Sequence, residues 1–145
     1  KFRGFFGYMW IAIKETFSYK LKTFTLNIDG QAHELQALCV EVANATMFGY
    51  DMKIAPLAKI DDGLLDVVII KKAPKWRYLF SIFRFPMGNI HKSSLVEYYS
   101  AKKVEITCQE ESAFHIDGEG FLSKQQLNFS IKNLALKVLT PNRQS

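Results

Sequence analysis

From Leu21 onward the hydrophobic period of this chain is two residues, and that fact constrains its fold more than any other. Thr23, Thr25 and Asn27 alternate with Phe24, Leu26 and Ile28. Such alternation places one set of side chains on a core and the other toward solvent, as in a half-buried strand. The run stops at Asp29-Gly30, a pair suited to the left-handed positions of a tight hairpin turn. A second strand is expected from about Ala32 to Ala43, favoured over a helix by that turn and by the β-branched Val40 and Val42. Leu64–Lys71 is nearly continuously apolar and reads as a well-buried strand. Tyr98–Cys108, Ala113–Ile116, Gln126–Ile131 and Leu134–Leu139 read as further strands joined by short polar turns.

Helical period is confined to two places. Phe2, Phe5, Phe6, Met9, Ile13 and Phe17 recur at spacings of three and four, predicting a helix over 2–18. Pro74 opens a short amphipathic helix over Lys75–Phe85, ended by Pro86 and Gly88. Many short strands with one N-terminal helix and one short inserted helix predict a mainly β domain, an antiparallel β-sandwich or barrel-like fold. The 145 residues suit a single domain spanning 1–145. No strand–glycine loop–helix unit occurs, so a nucleotide-binding α/β layer is not expected.

Residues 44–63 read as a loop, and three segments in this neighbourhood and beyond carry candidate chemistry. Ile54–Val67 reads IAPLAKIDDGLLDV. Pro56 fixes one corner, Gly63 permits a sharp turn, and Asp61 and Asp62 supply carboxylates within it. A carboxylate with converging backbone carbonyls suits a hard cation such as Mg²⁺ or Ca²⁺, whereas an acidic turn capping its own backbone is the plainer reading. Phe114–Gly120 reads FHIDGEG, a hairpin turn with Asp117 and Glu119 flanking Gly118. Such a turn can present a carboxylate as a general base for a hydroxyl nucleophile, or it can be a turn only. In Val42–Tyr50, Asn44 ends a strand and Gly49 allows close backbone approach, as in a phosphate cradle or an ordinary crossover loop.

Taken in order, Asn44, the FGY loop, the DDGLLDV segment, a helix, IDGE and the late LALKVLTP run resemble the lipid kinase family that includes bacterial diacylglycerol kinases and the sphingosine and ceramide kinases. The resemblance spans nearly the whole chain, with DDGLLDV and IDGE its most specific parts. It implies a two-domain kinase, in which an N-terminal domain with a GGDGT-type loop binds ATP and a C-terminal β-sandwich binds the lipid acceptor. This sequence corresponds to the second half, and it contains no GGDGT-like run. The resemblance implies a structural Mg²⁺ held by the Asp62 side chain and the carbonyls of Lys59 and Leu64. It implies that Asp117 is the proton acceptor, with Glu119 its motif partner, and that Asn44 and Gly49 lie on the substrate side. Many members have three consecutive glycines where this chain has Phe48-Gly49-Tyr50. The implied reaction is transfer of the ATP γ-phosphoryl group to a lipid hydroxyl, with this chain alone inactive.

Other features bear on partners and location. The net charge of +5 suits anionic partners, and the resemblance points to lipid and nucleotide rather than nucleic acid. Lys75, Arg77 and Arg84 beside Trp76, Tyr78 and Phe80 suit peripheral contact with a membrane interface, with core packing the alternative. Cys39 and Cys108 lack metal or disulfide spacing, so buried thiols in a reducing, cytoplasmic setting are expected. His33, His91 and His115 have no ligand spacing for zinc. The chain begins at Lys1 directly on a helical pattern, so a preceding segment is expected. Exposed edge strands would allow a homodimer, although no residues select one. Two other classes fit the sequence: a non-catalytic lipid-binding or regulatory module of the same fold, and a nicotinamide-dinucleotide kinase. The lipid-like DDGLLDV loop disfavours the latter.

Overall fold

The computed structural model describes residue 14 and residues 20–47, 52–117, 119–123 and 126–137. The helix expected over 2–18 lies outside the described residues except for Lys14, which is helical. Along the described chain run β1 (Lys22–Ile28), β2 (Gln31–Ala43), β3 (Leu65–Lys71), α1 (Lys75–Ser81), β4 (Val96–Ala101), β5 (Lys103–Cys108), β6 (Ser112–Ile116), β7 (Glu119–Ser123) and β8 (Leu127–Ser130). Short 3₁₀ turns cover Ile82–Arg84 and Ile90–Lys92. The inserted helix is therefore shorter in its α-form than the sequence pattern suggests, with its last turn tightened. Six strands form an antiparallel sheet in the order β4-β3-β2-β1-β5-β8, and β6 and β7 form a separate hairpin. A mainly β, antiparallel, sandwich-like domain is what the alternation predicts and what is observed.

Local chemistry explains the first hairpin. Asp29 and Gly30 take φ of 47° and 90°, the left-handed turn that Asp-Gly favours. Asp29 also acts at long range. Its carboxylate accepts the backbone N–H of Lys103 at 2.8 Å and of Lys102 at 3.1 Å, and its own N–H donates to the Lys103 carbonyl at 3.0 Å. The β1–β2 turn is thus fastened to the β4–β5 corner.

That corner corrects the single strand expected over Tyr98–Cys108. The chain is two strands broken at Lys102, and β4 and β5 are separated in the sheet by three other strands. One residue joins them because the sheet curls until β5 comes round to the edge strand β4. The curled side encloses the main core, with Leu26, Val67, Ile69, Ala101 and Val104 fully buried.

A register shift divides β2 into halves of opposite facing. Ala37 pairs with Lys71, but Cys39 pairs with Ile70, so Leu38 is the extra residue of a β-bulge. Before it, Leu35 and Ala37 join the main core; after it, Val40 and Val42 do. Cys39, Glu41 and Ala43 consequently turn to the outer face, opposite Ile70, Val68 and Asp66.

The outer face carries a second core, in which Val68 and Val96 of the sheet meet Ala55 and Ala58 of the preceding loop and Ile90. With both faces covered, Leu65 through Ile69 are all buried, as expected of a continuous apolar strand. Tyr78 seats α1 against this region: its hydroxyl donates to the Lys71 carbonyl at 2.9 Å and accepts the Ala73 N–H at 2.8 Å.

The strand expected over Leu134–Leu139 is not formed across its described part. Residues 134–137 make a turn and bend, Leu134 has φ 51°, and Leu134 and Leu136 are exposed. Conversely β7, the second arm of the IDGE hairpin, is a strand beyond those named from the alternation. Among the described residues no helix is long and apolar enough to cross a membrane. Cys39 and Cys108 are half-buried and unbridged.

Candidate functional site

The DDGLLDV loop is built on small buried anchors. Ala55 and Ala58 pack on Val68 and Val96, and the Ala58 N–H donates to the Ala55 carbonyl at 3.0 Å, turning the chain after Pro56. Lys59, Asp61 and Asp62 then emerge into solvent, while Leu64 is half-buried. Asp62 Oδ1 accepts the Leu64 N–H at 2.9 Å across Gly63, which has φ +72°. A Cβ at Gly63 would stand 3.0 Å from the Asn133 side chain, so both backbone conformation and space call for glycine here.

Beneath the loop runs a polar row on the outer face. Asp66, at the start of β3, is only 3% exposed, and Ser100 opposite it donates to Asp66 Oδ1 at 3.4 Å. Tyr98 faces the same way, since it pairs with Val68. Its hydroxyl is enclosed, and among the described residues no partner meets it at full hydrogen-bond geometry, so its interaction with Asp66 is loose. Burial, then the hydrogen bond and charge of Asp66, hold that hydroxyl well above the usual phenol range. The Leu57 backbone opposes this rise, and the Asp62 charge adds to it. The exposed carboxylate of the loop therefore lies within electrostatic reach of Tyr98 in this row.

The second acidic turn is the tip of the β6–β7 hairpin. Ile116 pairs with Glu119, which puts Asp117 at the turn, and Asp117 takes the expected left-handed φ of 49°. Phe114 and Phe121 stack across the hairpin at 5.4 Å and keep its arms together. Asp117 and Glu119 are exposed. Next to the turn, His115 lies close enough to Glu41 for its charge to favour the Glu41 carboxylate, though burial outweighs it and raises that group above the ordinary glutamate range. Glu41 and Tyr98 flank Val68 from opposite sides of β3. The Asp62 loop, through Tyr98, and the β6–β7 hairpin, through His115, thus each reach the same face of the sheet.

Asn44 is exposed directly after the end of β2, and Gly49 lies outside the described residues. Asp66, Tyr98, Ser100 and Glu41 escape the sequence pattern as a group. Asp66 alone gives a signal, as a carboxylate inside an apolar run. Cys39 neighbours this row, but burial and then the Glu41 charge push its thiol up to about 12, so it is a poor nucleophile.

The loop's donor chemistry fits a hard cation. Among the described residues no three His, Cys, Asp or Glu side chains gather as metal donors. A cation at the loop would therefore rest on one carboxylate, backbone carbonyls and water, a set that suits Mg²⁺ or Ca²⁺ and not zinc.

Residues 2–140 match the family described as the YegS C-terminal NAD kinase beta sandwich-like domain. The chain belongs to this family. The beta sandwich-like description of the YegS C-terminal domain agrees with the antiparallel sheet found here. The chain is also 30% identical over 78 residues to YtlR of Bacillus subtilis (strain 168), a protein that carries a lipid kinase name. That stretch is 54% of this chain and 25% of YtlR. Among solved structures, two proteins described as diacylglycerol kinases, both from Bacillus anthracis str. Sterne, share the fold. One has a TM-score of 0.69 and 22% identity, covering 88% of this chain and 44% of that one. The other has a TM-score of 0.57 and 21% identity, covering 79% and 41%. The chain thus spans a quarter of YtlR and less than half of each solved kinase chain.

Proposed function

We propose that this domain is the acceptor-binding half of an ATP-dependent lipid kinase. The observation that carries the reading is the family match over residues 2–140, which spans both acidic turns. In the proposed reaction an acceptor hydroxyl, diacylglycerol-like, attacks the γ-phosphorus of ATP. The new O–P bond forms as the bond to ADP breaks, and the hydroxyl proton passes to Asp117. Asp117 suits this role because its carboxylate stands at an exposed hairpin tip, where a lipid headgroup can approach. Glu119 flanks it on the same turn. Asn44 and Gly49 would contact the substrate from the β2 exit.

A Mg²⁺ held by the Asp62 carboxylate and the Lys59 and Leu64 carbonyls would supply fixed positive charge that stiffens the loop. Asp66, Tyr98 and Ser100 support that loop from below. ATP itself would be bound mainly by a separate nucleotide-binding domain of the same protein, and such an enzyme would work in the cytoplasm or at its membrane boundary. Phosphoryl transfer of this kind depends on positioning and charge neutralisation more than on covalent chemistry by the protein.

The test is a kinase assay on the gene product that contains this chain, with diacylglycerol, ceramide-like and phosphatidylglycerol acceptors. Phosphate should appear on one acceptor class, and Asp117→Asn should lower kcat by about two orders of magnitude or more with folding intact. Normal turnover in Asp117→Asn would refute the role of Asp117. Lipid binding without phosphoryl transfer to any acceptor would leave the non-catalytic module as the better account.

A further inference from the structure

We propose that α1 and the turn after it form a docking surface for an anionic phospholipid bilayer. The sequence from Trp76 to Met87 carries two apolar stripes. The inward stripe is Tyr78, Ile82 and Phe85, with Tyr78 and Ile82 buried. The outward stripe is Trp76, Phe80, Phe83 and Met87, exposed by 61%, 71%, 57% and 71%. Their spacing of four, three and four puts them along one side of the helical path, and the Trp76 and Phe80 rings meet edge to face at 6.3 Å. A helical segment apolar on both sides is ordinarily enclosed on both sides. Here one side is left to solvent, and an exposed apolar cluster of this size marks an interaction surface.

Charge identifies the occupant. No Asp or Glu occurs between Asp66 and Glu97, whereas Lys72, Lys75, Arg77, Arg84 and Lys92 all do. Arg77 is positioned by a 2.8 Å hydrogen bond to Ser94. Lys53 joins the rim from the preceding loop: its N–H donates to the Phe85 carbonyl at 3.3 Å, and its side-chain stem lies against Gly88. Large aromatic rings ringed by long basic side chains are the composition of an interfacial anchor, with the rings at acyl depth and the cations at phosphate level. A second copy of the chain is a poor occupant, because a two-fold contact would set this basic rim against itself. Tyr78, which the sequence pattern grouped with the interfacial residues, faces inward and has no part in the surface.

The inference goes beyond the kinase reading, since it concerns no residue of the acidic turns and its test needs neither nucleotide nor turnover. The gene product containing this chain is sedimented with vesicles of phosphatidylcholine alone and of phosphatidylcholine mixed with phosphatidylglycerol. Binding to the anionic vesicles should exceed that to neutral ones by about tenfold or more and should weaken at high salt. The Trp76→Ser, Phe80→Ser, Phe83→Ser variant should lose about tenfold of the binding to anionic vesicles, and Phe80→Ser alone a smaller share. Lys75→Gln with Arg84→Gln should abolish much of the anionic preference. Melting temperatures of all variants control for folding. Equal binding to both vesicle types, or unchanged binding in Phe80→Ser and the charge variant, overturns the proposal. So does a dimer, seen by light scattering, that the aromatic substitutions dissociate.

Discussion

The Asp62 carboxylate accepts the Leu64 backbone N–H at 2.9 Å, closing the loop over Gly63. An asparagine at this position keeps the acceptor and loses the charge. Asp62→Asn should therefore melt within a degree or two of the wild type without metal, while Asp62→Ala should lose about 1 kcal/mol with that hydrogen bond. If the loop holds Mg²⁺, millimolar Mg²⁺ should raise the melting temperature of the wild type and not of Asp62→Asn, because a ligand that binds only the folded state stabilises it. An equal Mg²⁺ response in both proteins would remove Asp62 from the cation site.

Gly63 makes a separate prediction. Its φ of +72° costs a residue with a Cβ about 1–2 kcal/mol, and the Asn133 side chain stands 3.0 Å from where that Cβ would lie. Gly63→Ala should lower the denaturant midpoint. Adding Asn133→Ala should recover only the contact part of the loss, leaving the backbone part. A double variant as stable as the wild type would mean that the turn relaxes out of the left-handed region.

Asp29 ties two corners of the sheet through its hydrogen bonds to Lys102 and Lys103. These are charge-assisted but exposed, so Asp29→Ala should cost about 1–3 kcal/mol in chemical denaturation. Asp29→Asn retains the turn preference and one acceptor and should lose less. Identical losses in the two variants would place the effect in the carboxylate charge, which both lack, and not in the turn preference that asparagine retains.

The elements that follow local rules are the ones the sequence reveals. Asp29-Gly30 and Asp117 are legible because their turn conformations depend on neighbouring atoms only. Leu65–Lys71 is legible because burial on both faces demands a continuous apolar run. The break at Lys102 is not, since no glycine or proline marks it: closure of the curled sheet decides where the strand ends. The alternation through Leu134 and Leu136 misleads for the converse reason, as period two is present but the residues find no partner strand within the described region. At the candidate site, Asp62 and Asp117 are visible as turn residues. The Asp66, Tyr98 and Ser100 row is a product of the β3–β4 register, which no local pattern encodes.

Glu41 gives the pH dependence. Burial raises its carboxyl above the ordinary glutamate range, against the weaker opposing effect of His115. Between the ordinary and the raised value the folded state holds a proton that the unfolded state has released. Stability then falls as pH rises through that window. Above that window the wild type carries a desolvated charge that Glu41→Gln lacks. Glu41→Gln should therefore be the more stable protein there, with the difference shrinking as pH falls through the window. Melting curves across that span check the sign, and a difference that grows on acidification would show that the Glu41 carboxylate is stabilised by its surroundings instead.

The bulge at Leu38 allows the sharpest test of the sheet. Because Ala37 pairs with Lys71 and Cys39 with Ile70, Leu38 is the residue that moves β2 from odd to even positions on the core side. Deleting it joins Ala37 directly to Cys39, opposite the consecutive residues Lys71 and Ile70, so the present pairing becomes regular alternation: Ala37, Val40 and Val42 stay on the core side, and Cys39, Glu41 and Ala43 stay on the outer face. The deletion variant should therefore keep a cooperative melting transition and a near-ultraviolet circular dichroism spectrum like that of the wild type, losing only the local bend of the bulge. Leu38→Ala, which keeps the extra residue and alters only its side chain, should also melt cooperatively. A deletion variant that loses its cooperative transition would mean that the bend at Leu38, and not the β2–β3 pairing alone, holds Glu41 beside Val68 on the face that carries the acidic loop.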